Sequence, residues 1–241
     1  CNGGSVITNR ERQVKTGRDY PQCNPRFALM DPTYTHTVPL RQMVSGGFDT
    51  LSHIMETYFS RPDEENVADD IAEALMRGVI RDLRAAVRNP EDYTARSNLM
   101  WEATMAENRI IKLGKQADFQ CHQMEHQLAA HTDCNHGEGL AVLHPVYYRH
   151  ICDAGTVKFA RFAARVWGIP EAGRSQKELA HAGVEALADF IGELGLPTTL
   201  KQLGIDEGTD LRAIADSCSI VSGGYRKLTH GEIYEIFTQC L

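Results

Sequence analysis

Five residues of this chain have the types and spacing to hold a metal ion: Asp49, His53, His122, His126 and His136. They stand in Asp49-Thr-Leu-Ser-His53 and in His122-Gln-Met-Glu-His126, with Asn135-His136-Gly137 downstream. Carboxylate plus imidazole is the donor set of a borderline divalent ion such as Fe²⁺ or Zn²⁺. Each pattern opens with an i, i+4 step, which sets two side chains on one face of a helix. His122 and His136 cannot serve one ion from one continuous helix, because fourteen residues at about 1.5 Å rise separate them by roughly 21 Å. The chain must reverse between them, and Asp133, Asn135 and Gly137 supply turn and cap residues there. Asp49, His53, His122 and His136 offer one oxygen and three nitrogens. His126, one turn beyond His122, is either a fifth donor or a proton relay just outside the ion's reach.

The remaining histidines read differently. His131 is nine positions after His122 and points away from it. His36, His144, His150, His181 and His230 have no ligand-spaced partner and are expected in structural roles. Cys121 and Cys134 flank the motif but sit beside better-placed donors, so they read as packing residues. Glu125 is either an exposed glutamate or a carboxylate that orients an imidazole. Trp101, with Met100 and Met105, reads as a core cluster.

The elements that must position these residues are mostly helical. Val44, Phe48, Leu51, Met55 and Tyr58 form an apolar stripe at helical spacing. Asp49 and His53 fall on the opposite side, which is either solvated or lines a polar cavity. Further helices are expected over 64–87, 89–113, 118–131, 137–152, 156–167, 175–194, 210–219 and 229–241. Pro145 is expected to kink or break the fifth of the chain's helices. Thr229 with Glu232 reads as a capping box. Residues 1–38 differ: Ser5–Thr8 and Phe27–Met30 are strand candidates flanking a polar stretch, which reads as a ribbon before the helical domain at 39–241. The fold class is therefore mainly α with a short N-terminal β-ribbon.

Composition excludes several classes. The 241 residues carry a net charge of −7, opposite in sign to a nucleic-acid footprint. No apolar run is long enough to span a bilayer, and no signal peptide is visible. Seven cysteines without a CxxC pair read as reduced thiols of a cytoplasmic protein. The first residue is Cys1, and Asn2-Gly3-Gly4 reads as mid-loop, so the chain is expected to be a piece of a longer protein.

Asp31-Pro32, Pro39, Gly47-Phe-Asp49-Thr-Leu-Ser-His53 and Glu56 resemble the iron-containing alcohol dehydrogenases. So do His122-Gln-Met-Glu-His126-Gln-Leu-Ala-Ala, His136-Gly137 and Leu140-Ala-Val-Leu-His-Pro145. Asn98-Leu-Met-Trp101-Glu-Ala-Thr-Met105 and the segment from Asn2 to Asn9 are similar to the branch of butanol dehydrogenases and broad aldehyde reductases. The resemblance implies a dehydroquinate synthase-like C-terminal helical domain. It places the metal ligands on Asp49, His53, His122 and His136, with Fe²⁺ or Zn²⁺ as the ion. The family's proton-transfer histidine, near the nicotinamide, falls on His126.

The same resemblance implies NAD or NADP as hydride acceptor and a small primary alcohol or aldehyde as substrate; a homo-oligomer is expected. This chain lacks the Gly-rich phosphate fingerprint of a dinucleotide domain. Its cofactor is expected mainly on the protein's own N-terminal nucleotide-binding domain, the present chain being inactive alone. Thr33, Tyr34 and Thr35 lie where relatives approach the cofactor. The alternatives are a metal-binding or assembly module without activity, or a glycerol dehydrogenase-like enzyme on the same scaffold.

Overall fold

A computed structural model describes residues 2–241. Two strands, β1 (Gly4–Asn9) and β2 (Val14–Asp19), precede nine α-helices among the described residues. These are α1 (Leu40–Tyr58), α2 (Val67–Arg88), α3 (Tyr93–Glu107), α4 (Gln120–Thr132), α5 (His136–Ile151), α6 (Thr156–Arg165), α7 (Gln176–Glu193), α8 (Leu211–Ser217) and α9 (His230–Gln239). The mainly helical class with one small ribbon is as the sequence predicts. No helix among the described residues is long and apolar enough to cross a membrane.

α1 is the central element. Phe48, Leu51, Met55 and Tyr58 are fully buried along one side, packed towards α2 and α5. The opposite side carries Asp49 and His53, both half-buried, so that face lines a polar cleft. α5 runs through the middle of the bundle, with Leu140, Leu143, Tyr147 and Tyr148 fully buried. Pro145 neither breaks nor ends it, since α5 continues from His136 to Ile151. Packing on all sides of this buried helix outweighs one missing hydrogen bond. Beyond it, Phe59 stacks on Phe159 with ring centroids 4.0 Å apart, joining α1 to α6.

Three local expectations are corrected. β1 pairs antiparallel with Val14–Asp19, in the register Gly4 to Asp19 and Asn9 to Val14. The apolar run Phe27–Met30 forms no strand, and Phe27 and Leu29 are exposed. The turn decides this pairing: the Asn9 side chain accepts from the Arg12 N–H at 3.0 Å, and Gln13 takes φ 48°, closing a short hairpin. Trp101 is no core residue; it lies on the outer face of α3, 57% exposed. That helix ends at Glu107, ahead of the predicted boundary, and Arg109 turns at φ 74° into a short 3₁₀ segment, Ile110–Lys112.

Candidate metal centre

Three helices deliver the donors. α1 presents Asp49 and His53 one turn apart, α4 presents His122 in its first turn, and α5 begins at His136. The reversal between α4 and α5 occurs where the sequence requires it. Asp133 takes φ 57°, and the Asn135 side chain caps α5 by accepting from the Glu138 N–H at 3.1 Å. Gly137 allows close approach. A Cβ there would lie 2.1 Å from the Ser45 carbonyl oxygen, so only a bare α-carbon lets α5 start against α1.

The four side chains converge. Asp49 Oδ1 lies 3.4 Å from His53 Nε2, 3.4 Å from His122 Nε2 and 3.7 Å from His136 Nε2. His53 and His122 approach to 3.2 Å through their Nε2 atoms. Even without His53, Asp49, His122 and His136 form a compact donor group. Asp49 Oδ1 is buried and accepts no well-aligned hydrogen bond. A buried, unsatisfied carboxylate oxygen surrounded by imidazole nitrogens is a costly arrangement without a cation. The donor set and its geometry thus fit a divalent ion.

Behind each imidazole stands a carboxylate. His53 Nδ1 lies 2.5 Å from Glu107 Oε1. His122 Nδ1 meets Glu56, which is fully buried. His136 Nδ1 meets Glu125, also fully buried. Glu56 and Glu125 hold the His122 and His136 rings with the proton on Nδ1, freeing Nε2, whereas Glu107 meets His53 Nδ1 without an aligned hydrogen bond. Glu56 also accepts from the backbone N–H groups of Cys121 (2.7 Å) and His122 (3.3 Å). It thereby caps α4 from another helix, in place of Phe119, whose side chain caps nothing.

The electrostatics follow from this packing. Burial alone would raise the Asp49 carboxyl; contact with His122 and the charges on His53, His122 and His136 override it and hold it far below the usual carboxylate range. Burial likewise opposes ionisation of Glu56, but the His122 charge and hydrogen bonds keep it ionised. Burial, then the charges on His122, Lys15 and His136, push His126 down to about 3, so its ring is neutral. His126 stands beside the cluster, with ring centroids 6.1 Å from His122 and 5.6 Å from His136. Its Nδ1 is buried and unpartnered.

Glu56 stood in the recognised string without a role, although it lies one turn beyond His53. Glu107 and Lys15 gave no sequence signal. Lys15 reaches from β2 to lie 3.0 Å from Glu125 Oε2. Glu125 serves His136, eleven residues on, not its neighbour His126. Cys121 and Cys134 pack in the core and join no donor group. His144 bonds Ser52 at 2.5 Å and His181 bonds Asp153 at 2.9 Å, in structural roles. The ribbon roofs the site, and a cavity of about 470 Å³ between them is lined by Ser5, Arg18, Glu107, Phe119 and Gln123. Thr33–Thr35 lie apart, in a 3₁₀ segment capped by Asp31. Tyr34 is exposed, and Thr35 borders a second cavity of about 420 Å³ between α1 and α3.

Residues 43–241 match the model of the Fe-containing alcohol dehydrogenase family, C-terminal. The chain belongs to that family. It is 37% identical over 239 residues to NADH-dependent butanol dehydrogenase B of Clostridium acetobutylicum, covering 97% of this chain and 61% of that protein. It is 34% identical over 213 residues to the NADPH-dependent aldehyde reductase YqhD of Escherichia coli, covering 88% and 54% respectively. The crystal structure of NADH-dependent butanol dehydrogenase A from Thermotoga maritima superposes with a TM-score of 0.91 at 31% identity, over 99% of this chain and 62% of that one. The structure of E. coli K-12 YqhD gives 0.93 at 30% identity, over 100% and 62%. The chain thus spans about three fifths of the length of these relatives.

Proposed function

We propose that this chain is the metal- and substrate-binding part of an NAD(P)-dependent dehydrogenase that interconverts primary alcohols and aldehydes by hydride transfer. The observation that carries this reading is the convergence of Asp49, His53, His122 and His136 on one buried carboxylate oxygen, each imidazole backed by a glutamate. These four residues would hold the ion, Fe²⁺ or Zn²⁺. When bound, the ion supplies Lewis-acid polarisation of the alcohol oxygen, and the nicotinamide supplies the hydride acceptor.

The chain's own residues do the rest. Asp49 contributes the charge that draws a dication. Glu56, Glu107 and Glu125 fix the three rings so that Nε2 faces inwards. His126, whose buried Nδ1 has no partner, accepts the hydroxyl proton and passes it towards the cleft. The ribbon lies over the pocket and lines one side of it. Thr33, Tyr34 and Thr35, outside the cluster, are the proposed contacts of the dinucleotide. The proposed domain boundary falls at residues 38/39, just ahead of α1. An N-terminal nucleotide-binding domain of the same protein would carry most of the cofactor, and the assembly would be homo-oligomeric. The free thiols among the described cysteines support a cytoplasmic setting.

The test is aldehyde reduction by the protein expressed from its complete gene. Butanal-dependent oxidation of NADH or NADPH should require added Fe²⁺ or Zn²⁺ and should vanish in Asp49→Ala. Turnover that survives complete metal removal would refute the proposal.

A further inference from the structure

A second group of metal-type donors lies beside the first: Glu125, His126 and His136 each offer an atom within 4.8 Å of the others. His136 belongs to both groups, with Nε2 turned to Asp49 and Nδ1 turned to Glu125. Two atoms of this second group are buried without a hydrogen-bond partner, Glu125 Oε1 and His126 Nδ1. Glu125 is fully buried and His126 is 6% exposed. A carboxylate and an imidazole, both desolvated and incompletely satisfied, with the half-buried His136 ring beside them, form a cation pocket.

The chain fills that pocket with its own cation. Lys15 Nζ lies 3.0 Å from Glu125 Oε2 and 3.3 Å from His136 Nδ1. Its side chain is 14% exposed. We infer that Glu125, His126 and His136 constitute a latent second site for a first-row divalent ion, and that the Lys15 ammonium occupies it and restricts the centre to one metal. This inference rests on the metal-binding reading of Asp49, His53, His122 and His136. Among the described residues, Lys15 is the ribbon side chain that pairs with Glu125. Removing its charge leaves the buried Glu125 carboxylate without the ammonium beside it. A second ion would be held by Glu125 and His126, with His136 at its edge.

The substitution need not dislodge the ribbon, because the Lys15 backbone carbonyl, not its side chain, accepts from Gln127 Nε2 at 3.1 Å. The strand pairing of β1 and β2 is also untouched. The experiment strips the protein, expressed from its complete gene, of metal, equilibrates it with excess Co²⁺, and counts bound cobalt by elemental analysis after gel filtration. Wild type should hold one ion per chain, Lys15→Met two, Lys15→Arg one, and Lys15→Met combined with His126→Ala one. Lys15→Gln replaces Lys15→Met if the latter melts early. One ion in a folded Lys15→Met or Lys15→Gln protein overturns the inference, as do two ions in wild type or in the double variant. No ion in wild type instead overturns the metal reading on which it rests.

Discussion

Glu56→Gln probes the most connected side chain behind the site. Glu56 is fully buried on α1 and accepts from Cys121 N, His122 N and His122 Nδ1. Glutamine keeps the volume but has one acceptor oxygen and a donor amide in place of the other. Whichever way the amide turns, at least one α4 donor meets an N–H. A hydrogen bond to a charged group contributes about 1.5–3 kcal/mol, so the metal-free protein should lose roughly that much. In a chain of this size that is a fall in Tm of roughly 3–12 °C. Losing an orienting partner of a metal-bound histidine typically costs about 10–100-fold in metal affinity. Glu107→Gln provides the contrast. Its carboxylate backs His53 at the edge of the site, with its side chain 29% exposed, so it should weaken metal binding with little change in melting. Thermal melts of the metal-free proteins and chelator-competition titrations read both quantities. A Glu56→Gln protein that melts and binds metal like wild type would show that Glu56 neither caps α4 nor orients His122.

His122→Ala should abolish metal binding, whereas His126→Ala should keep its metal and lose about 10² to 10⁴-fold in rate, recovering partly at high pH; equal metal loss in both would make His126 a ligand. Gly137→Ala places a Cβ 2.1 Å from the Ser45 carbonyl, so α5 must move off α1 at a cost of about 1–3 kcal/mol, and an unchanged urea midpoint would refute that close approach. Glu102, buried beside Asp82, is pushed up from 4.5 to about 8 by burial and then by the Asp82 charge. Its folded form holds the proton more tightly than the unfolded chain, so the stability it contributes is complete below about 4.5 and is lost as pH rises towards 8. Denaturant midpoints across that range should fall less steeply in Glu102→Gln than in wild type, and parallel profiles would contradict the assignment.

The donor residues were legible in the sequence because the constraint on them is local. An i, i+4 step fixes Asp49 against His53 whatever surrounds the helix, and the reversal at Asp133 and Asn135 is written in residues that favour turns and caps. The capping box at Thr229 and Glu232 was readable for the same reason. The ribbon was half legible: β1 was found, but the apolar run Phe27–Met30 was preferred to Val14–Asp19. β2 is largely polar and its pairing is set by a turn, not by burial. Hydrophobicity alone points Trp101 to the core, yet which side of α3 faces its neighbours depends on where α1 and α2 lie. Glu107, Glu125 and Lys15 meet the histidines across 54, 11 and 121 positions of sequence. No periodicity encodes such distances. The sequence by itself determined which side chains are candidate donors and which helices carry them. Only the tertiary structure decided which carboxylates stand behind the rings and which ammonium lies against Glu125 and His136, because those contacts arise from helix packing and from the docking of the ribbon.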